Sequence, residues 1–239
     1  MEFASPTSPA IVISFGTLSL ISSYLCLSFA AHLRASGVRA GYTRKVFHVL
    51  IFTSAVIAHA LGGFSGVCLF GAMVSIVVGH AIIGGPGSRR YQALAREQDG
   101  PYQTRYIIIP YFATLIGGMV ISIFFGPLSV VGYLVGGLGD AAGEPAGTRW
   151  GKHPYVRHSG RAMVTKTFEG SLAVLLASAV ALLIAVAITP QLHFGLRSAI
   201  AIPVIATVCT LVEAFSPRGW DNVPMQIVPT VLTTFLLLK

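Results

Sequence analysis

Residues 170–189 read GSLAVLLASAVALLIAVAIT, twenty consecutive residues without a charge. A helix of about 20 apolar residues is long enough to cross the hydrocarbon core of a bilayer. Similar apolar segments recur along the whole chain. They predict an all-α, polytopic integral membrane protein with about eight transmembrane helices, between seven and nine, the eight candidates being 9–31, 46–61, 65–83, 106–125, 128–143, 170–189, 197–214 and 224–238.

The composition of the chain agrees with a membrane protein. Of its 239 residues, 54% are hydrophobic and only 10% are charged, and the mean hydropathy is +0.76. A typical soluble domain carries roughly 25% charged residues, and disordered chains combine high charge with low hydrophobicity. The composition therefore excludes both classes. The cysteines Cys26, Cys68 and Cys209 lie singly in apolar stretches, so neither a disulfide framework nor a CxxC metal site is expected.

The basic residues predict the orientation in the membrane. The net charge of +8 is better explained by the positive-inside effect than by a nucleic-acid partner, and none is expected. Fourteen of the 16 basic residues fall in alternate loops, namely Arg34, Arg39, Arg44, Lys45, Arg89, Arg90, Arg96, Arg105, Arg149, Lys152, Arg157, Arg161, Lys166 and Arg218. We expect these loops to face the cytoplasm and both termini to lie on the opposite side, in a cell inner membrane or the endoplasmic reticulum.

The sequence also indicates how the chain begins and how many domains it forms. Met1–Ser5 contains no basic residue, so no cleavable signal peptide is expected. No soluble segment is long enough to fold alone, which predicts one transmembrane domain over residues 1–239. Nearly all acidic residues lie in or beside the basic loops, so the chemistry is expected on the cytoplasmic face.

Residues 132–173 contain the densest group of polar and small residues. Glycines recur at every fourth position from Gly139 to Gly151, which on a helix places them on one face and allows another backbone or a ligand to approach closely. A packing stripe is the alternative interpretation. Asp140 and Glu144 are four residues apart and therefore share a helix face.

These two carboxylates predict a metal site. Acidic side chains at membrane depth are costly and usually functional. Pro145 interrupts backbone hydrogen bonding beside them, and hard oxygen ligands of this kind suit Mg²⁺. The alternative is a salt bridge from either carboxylate to Arg149 or Lys152.

The residues before the sixth span predict a phosphate site. Lys152 follows Gly151, and Lys166 precedes Thr167 at the expected start of a helix. Lysines, hydroxyls and backbone N–H groups at a helix N-terminus all favour anions. Thr167, with Glu169 and Gly170, is equally typical of an ordinary helix N-cap.

The order of these motifs resembles the CTP-dependent polyprenol and lipid-alcohol kinases, a family that includes phytol, farnesol, dolichol and CTP-dependent diacylglycerol kinases. The similarity rests on three elements in the same order: a basic pair before a histidine, a GDxxxExxGxxxGK stretch followed by KTxEGS, and an ExxS…DN…P stretch. The matching residues are Arg44, Lys45, His48, Gly139, Asp140, Glu144, Gly147, Gly151, Lys152, Lys166, Thr167, Glu169, Gly170, Ser171, Glu213, Ser216, Asp221, Asn222 and Pro224.

The resemblance implies a kinase that transfers the γ-phosphate of CTP, with Mg²⁺, to the hydroxyl of a membrane lipid alcohol. Its catalytic residues would be Asp140, Lys166 and Glu144, and its metal ligands Asp140, Glu144 and Asp221. Substrate contacts would come from His48, Glu213 and Asn222. The nucleotide phosphates would contact Lys152, Arg149, Gly151, Thr167, Glu169, Gly170, Arg44 and Lys45.

Two other functions remain open from the sequence. Phosphatidate cytidylyltransferases have a related acid…Lys-Thr-x-Glu-Gly pattern and would make a CDP-activated lipid. A small ion-coupled transporter would use intramembrane carboxylates, but no acid lies near a predicted midplane. Residues 84–90, GGPGSRR, lack the GK[ST] ending of a phosphate-binding P-loop and are predicted to form a cytoplasmic turn.

Overall fold

A computed structural model describes residues 8–159 and 162–238, without the side chains of 157–159, 162 and 163. The expectation about the chain start, the side chain of Arg157 and the whole of Arg161 lie outside these residues. The chain divides into two compact units, one ending at Ile108 and one beginning at Ile109. Helices account for most of the described chain, which confirms the predicted helical class.

The N-terminal unit is formed by three helices and a 3₁₀ turn. Helix α1 runs over Pro9–Ala35 and α2 over Ala40–Ile83, while the short α3 covers Arg89–Leu94 and the 3₁₀ turn Glu97–Tyr102. Pro9 suits the first turn of α1, where its missing N–H needs no partner. α1 packs against both α2 and α3.

Helix α2 is broken at Gly63. This glycine has φ +56° and ψ −144°, a conformation that residues with a side chain rarely adopt. A Cβ atom at Gly66 would lie 2.5 Å from the carbonyl oxygen of Ala58, although eight residues of straight helix rise about 12 Å. The chain therefore bends sharply here, at the boundary predicted between spans 46–61 and 65–83.

The C-terminal unit begins inside α4, Gln103–Phe125. A 3₁₀ turn at Gly126–Leu128 leads into α5, Ser129–Leu134, a π-helical turn at Val135–Gly139, and α6, Asp140–Trp150. The strands β1, Pro154–Ser159, and β2, Ala162–Thr167, follow. The unit ends with α7, Phe168–Ile188, α8, Leu196–Phe215, and α9, Pro224–Leu237.

Gly126, with φ +50°, marks a second sharp bend. The Tyr133 hydroxyl lies 2.5 Å from Ser122 Oγ and donates to the Gly118 carbonyl oxygen at 3.3 Å. Residues on either side of the bend, up to fifteen positions apart in the sequence, are therefore in contact. α4 and α5 form a helical hairpin here, at the boundary predicted between spans 106–125 and 128–143.

The two strands are a feature that the sequence interpretation missed. β1 pairs antiparallel with β2, with Pro154 opposite Thr167 and Tyr155 opposite Lys166. The predicted loop between spans five and six therefore contains a pair of strands. The fifth segment also extends further than predicted, since α6 continues to Trp150.

Among the described residues, five helical stretches are long and apolar enough to cross a membrane: 9–35, 40–83, 97–150, 168–188 and 196–215. The stretches 40–83 and 97–150 contain the bends at Gly63 and Gly126. α9 is apolar but shorter. Large apolar side chains such as Leu61, Phe124 and Phe235 are exposed on the helix surfaces, as expected for contact with lipid. By their length and composition, these helices indicate a helical membrane protein.

Candidate functional site

Three carboxylates from distant parts of the sequence meet in the C-terminal unit. Asp140 begins α6, Glu213 lies in the last turn of α8, and Asp221 precedes α9. One carboxylate oxygen from each lies within 4.8 Å of the other two. Asp140 and Glu213 are buried and Asp221 is half-buried. Three hard anionic oxygens at this spacing form a donor set that fits Mg²⁺.

Asp140 lies at the end of the π-helical turn Val135–Gly139. Such turns interrupt the regular helix and often accompany functional sites. The interruption coincides with the start of the glycine series that continues through α6.

The glycine series allows α6 and α7 to approach closely. A Cβ atom at Gly139 would lie 2.4 Å from Ser178 Oγ, and one at Gly143 would lie 2.9 Å from a methyl group of Val174. One at Gly147 would lie 2.8 Å from Thr167 Oγ1. Side chains at these positions would push α7 away, so the glycines act as a packing stripe. The stripe brings the N-terminal end of α7 beside the carboxylates.

Lys166 reaches the carboxylates from strand β2. Its Nζ donates to Glu213 Oε1 at 2.6 Å and to the Glu213 carbonyl oxygen at 2.7 Å. The Lys166 side chain is 20% exposed and that of Glu213 is 11% exposed. A partly buried ion pair with two donated hydrogen bonds holds the ammonium in one place. Lys166 is therefore positioned on the same carboxylate that completes the acidic group.

The β-hairpin is attached to α7 by polar contacts at its base. The Tyr155 hydroxyl lies 2.8 Å from Ser171 Oγ, and the Tyr155 and Phe168 rings have centroids 5.1 Å apart. His153 Nδ1 lies 2.6 Å from Glu169 Oε1. Since Tyr155 and Lys166 are opposite one another in the ladder, they share a face, and that face is turned toward the helices.

Thr167 and Glu169 have local partners. Thr167 is the N-cap of α7, where its side-chain oxygen accepts from the Gly170 N–H at 3.1 Å. This contact is the ordinary capping arrangement considered for the sequence. Gly170 packs beside the backbone of Gly143, where a Cβ atom would lie 2.9 Å from a carbonyl oxygen. Phosphate contacts by these residues stay a prediction.

The other residues predicted for the site in and just after α6 lie outside the acidic group. Glu144 is half-buried one turn beyond Asp140, and it does not belong to the acidic group found among the described residues. Arg149 and Lys152 are exposed, and the Arg149 guanidinium lies over the Trp150 ring at 5.5 Å from its centroid. Gly151 packs against Thr167.

Asn222 has partners on α4. Its side-chain amide nitrogen donates to the Pro110 carbonyl oxygen at 3.0 Å and to Thr114 Oγ1 at 2.7 Å. Both amide hydrogens are therefore used inside the unit. The buried Gln226 continues this contact by donating to the Thr114 carbonyl oxygen at 3.2 Å. Asn222 thus fixes the turn that carries Asp221, while its contact with substrate stays a prediction.

The basic pair and histidine at the start of α2 belong to the N-terminal unit. Lys45 is buried, Arg44 and His48 are half-buried, and the His48 ring packs on Phe52 with centroids 4.6 Å apart. The phosphate and substrate contacts expected of these residues are not tested by the geometry of their own unit.

Comparisons with protein-family models, with curated proteins and with solved structures find no significant match for this chain.

The sequence interpretation placed Glu213 at the substrate, and that contact stays a prediction. The structure adds that the Glu213 carboxylate lies within 4.8 Å of those of Asp140 and Asp221 and is paired with Lys166. A signal for the hairpin was present in the sequence. Tyr155 and Val156 precede Gly160, and Val164 and Thr165 follow it, and β-branched and aromatic residues flanking a glycine are typical of paired strands.

Proposed function

We propose that this protein is a membrane-embedded lipid-alcohol kinase that transfers the γ-phosphate of CTP to the hydroxyl of an isoprenoid alcohol or diacylglycerol. The observation that supports it most directly is the meeting of Asp140, Glu213 and Asp221 with the ammonium of Lys166. Phosphoryl transfer requires mainly positioning and charge neutralisation. A group of carboxylates for a divalent cation, with a fixed lysine beside it, supplies both.

Mg²⁺ would be held by Asp140, Glu213 and Asp221, whose oxygens fit its preference for hard ligands. When bound, the ion would neutralise phosphate charge. Glu213 replaces Glu144 in the ligand set expected from the sequence, because only Glu213 shares the 4.8 Å group with the two aspartates. Glu144, one turn further along α6, is proposed to orient the substrate hydroxyl instead.

Lys166 is proposed to bind the transferred phosphate. Its ammonium is a compact charge with three donors, of which two are occupied by Glu213. The third donor remains for a phosphate oxygen at the metal group. Glu213 thereby acts in two ways, as a metal ligand and as the residue that positions Lys166.

The exposed Arg149 and Lys152 are proposed to contact the outer part of the nucleotide. Exposed cations attract polyphosphates over a range limited by salt screening, about 8 Å at physiological ionic strength. They would steer the nucleotide more than they would stabilise transfer. The lipid tail would lie among the apolar helix surfaces, with its hydroxyl at the membrane interface.

The proposal includes eight crossing segments with the active site on the cytoplasmic face. The bends at Gly63 and Gly126 support this count, because they divide two of the five long helical stretches, and α9 would provide the last segment. The distribution of basic residues supports the orientation.

The topology can be tested with one introduced thiol. In a variant lacking Cys26, Cys68 and Cys209, Val156→Cys places a thiol at an exposed hairpin position. A membrane-impermeant maleimide should label it in inverted vesicles and not in intact cells. Labelling in intact cells would contradict both the orientation and the count.

The activity can be tested with purified protein in lipid vesicles, Mg²⁺ and CTP labelled at either the γ- or the α-phosphate. The acceptors would be farnesol, phytol, dolichol and diacylglycerol, with phosphatidate as a separate arm. Transfer of γ-label to an alcohol with release of CDP supports the kinase. Incorporation of α-label with release of pyrophosphate would instead identify a cytidylyltransferase, and no incorporation of either label would contradict both activities.

A further inference from the structure

An open cavity lies in the N-terminal unit, between the C-terminal end of α1 and the start of α3. Its volume is about 350 Å³, and it is lined by Ser28, Ala31, His32, Ala35, Ser88, Arg89 and Arg90. The alanines and serines of this lining are small, which leaves the space open. The cavity is formed by residues to which the proposed kinase reaction assigns no role.

The lining of the cavity is suited to an anion. It combines two guanidinium groups, an imidazole and two hydroxyls, and none of the described residues that line it carries a carboxylate. The Arg90 guanidinium lies over the Tyr24 ring, 4.4 Å from its centroid, and donates to the Tyr24 hydroxyl. A stacked guanidinium is held in place and keeps further donors for a ligand.

Ser28 provides a second indication of a ligand. Its hydroxyl oxygen is buried and has no hydrogen-bond partner among the described residues. A buried polar atom without a partner is costly, at about 1–3 kcal/mol in proteins, and native structures rarely leave one unexplained. A rotation of the Ser28 side chain toward the cavity would let an oxygen acceptor bound there satisfy this hydroxyl.

An exposed apolar stripe of α1 leads directly into the cavity. Leu18, Ile21 and Leu25 are each at least half exposed, and Ser28 and His32 continue the same spacing of three and four residues along one helix face. From Leu18 to Ser28 the helix rises about 15 Å. This length is about half the hydrocarbon thickness of a bilayer, which is the reach of one acyl chain.

We infer that this cavity binds the phosphate of an anionic phospholipid, with an acyl chain of that lipid along the stripe of Leu18, Ile21 and Leu25. Arg89, Arg90 and His32 would contact the phosphate, and Ser28 would donate its hydroxyl. The GGPGSRR segment, predicted as a plain cytoplasmic turn, would thus end in a lipid-binding site. The site is independent of the proposed kinase reaction.

The experiment measures lipid retention by the purified full chain in detergent, using native mass spectrometry with added phosphatidylglycerol or phosphatidylcholine. Phosphatidylglycerol should remain bound and phosphatidylcholine should be lost. Arg89→Gln should weaken phosphatidylglycerol binding about tenfold, the equivalent of one charge-assisted hydrogen bond. Arg197→Gln, which removes an equally exposed arginine at the start of α8, should leave it unchanged.

A second variant tests whether binding depends on the cavity itself and not only on the positive charge of the surface. Ser28→Leu keeps every cation, fills the cavity and suits a helix, so it should also reduce retention of phosphatidylglycerol. Equal retention of phosphatidylglycerol in wild type, Arg89→Gln and Ser28→Leu would overturn the inference. Displacement of the lipid by inorganic phosphate at a comparable concentration would identify a free phosphate as the occupant and overturn the lipid assignment.

Discussion

Lys152 and Lys166 belong to the same sequence motif, but their surroundings differ. Lys152 is exposed after the end of α6, whereas Lys166 donates two hydrogen bonds to Glu213. The sequence motif assigned both lysines to the nucleotide phosphates. In the proposed reaction, we expect the fixed, partly buried Lys166 to contribute to transfer and the exposed Lys152 to contribute to encounter.

The largest effect is expected when a carboxylate of the acidic group beside Lys166 loses its charge. Asp140→Asn keeps the shape of the side chain but removes the charge of a proposed metal ligand, and metal neutralisation is worth several kcal/mol in a transition state. Turnover in the labelled-CTP assay should fall at least about 10³-fold, since each 1.36 kcal/mol is a factor of ten.

The control for this variant is Glu97→Gln, which removes an exposed carboxylate of the N-terminal unit and should keep normal turnover. Mn²⁺ binding, followed by electron paramagnetic resonance, should weaken in Asp140→Asn and not in Glu97→Gln. Normal turnover in Asp140→Asn would show that the acidic group is not the metal site.

The next largest effect is expected for Lys166→Met compared with Lys152→Met. Removing the fixed ammonium should lower turnover roughly 10²–10³-fold at saturating CTP, by analogy with the loss of one preorganised electrostatic contact. Lys166→Arg should restore part of this activity, because a planar guanidinium does not replace a compact ammonium. Equal effects of Lys166→Met and Lys152→Met on turnover would contradict the distinction between the two lysines.

A double-mutant cycle measures the pairing of Lys166 with Glu213. Lys166→Met leaves the Glu213 carboxylate partly buried without its ammonium, which should lower the melting temperature of the purified protein. Adding Glu213→Gln removes the unpaired charge and should recover part of the loss, with a coupling energy of roughly 0.5–3 kcal/mol. Strictly additive changes in stability would mean that the pair contributes little to the fold.

The smallest effect is expected for Lys152→Gln. An exposed charge changes the rate of encounter and its salt dependence more than it changes the chemical step. The ratio kcat/KM for CTP should fall about threefold or less at physiological salt, with kcat unchanged, and the difference should disappear at high salt. A fall in kcat would place Lys152 at the transferred phosphate.

Much of the fold was predictable because apolar length is a local property. The boundaries near Gly63 and Gly126 were expected from the lengths of the apolar runs, and both glycines have positive φ angles. The hairpin was missed because its strands are short and partly polar, and its two halves are stabilised by one another rather than by local propensity.

The part of the candidate site that depends on local spacing could be predicted, and the part that depends on contacts between distant segments could not. Spacing on a helix predicts which residues of its own segment lie on the same face as Asp140. The approach of Glu213, more than 70 positions away, depends on how closely α6 packs on α7 through its glycine stripe and on how α7 packs on α8. Sequence spacing carries no information on such distances, so the third carboxylate was assigned to the substrate.

The bend at Gly63 has a consequence for how the chain is inserted into a membrane. The two halves of α2 are joined with no intervening loop, and the φ of +56° at Gly63 favours glycine. In the proposed topology the two halves of α2 would cross the membrane in opposite directions. No hydrophilic linker joins them, so one half could not insert without the other. If that topology is correct, we expect the pair to insert as one hairpin and a side chain at position 63 to hinder biogenesis before it affects any reaction.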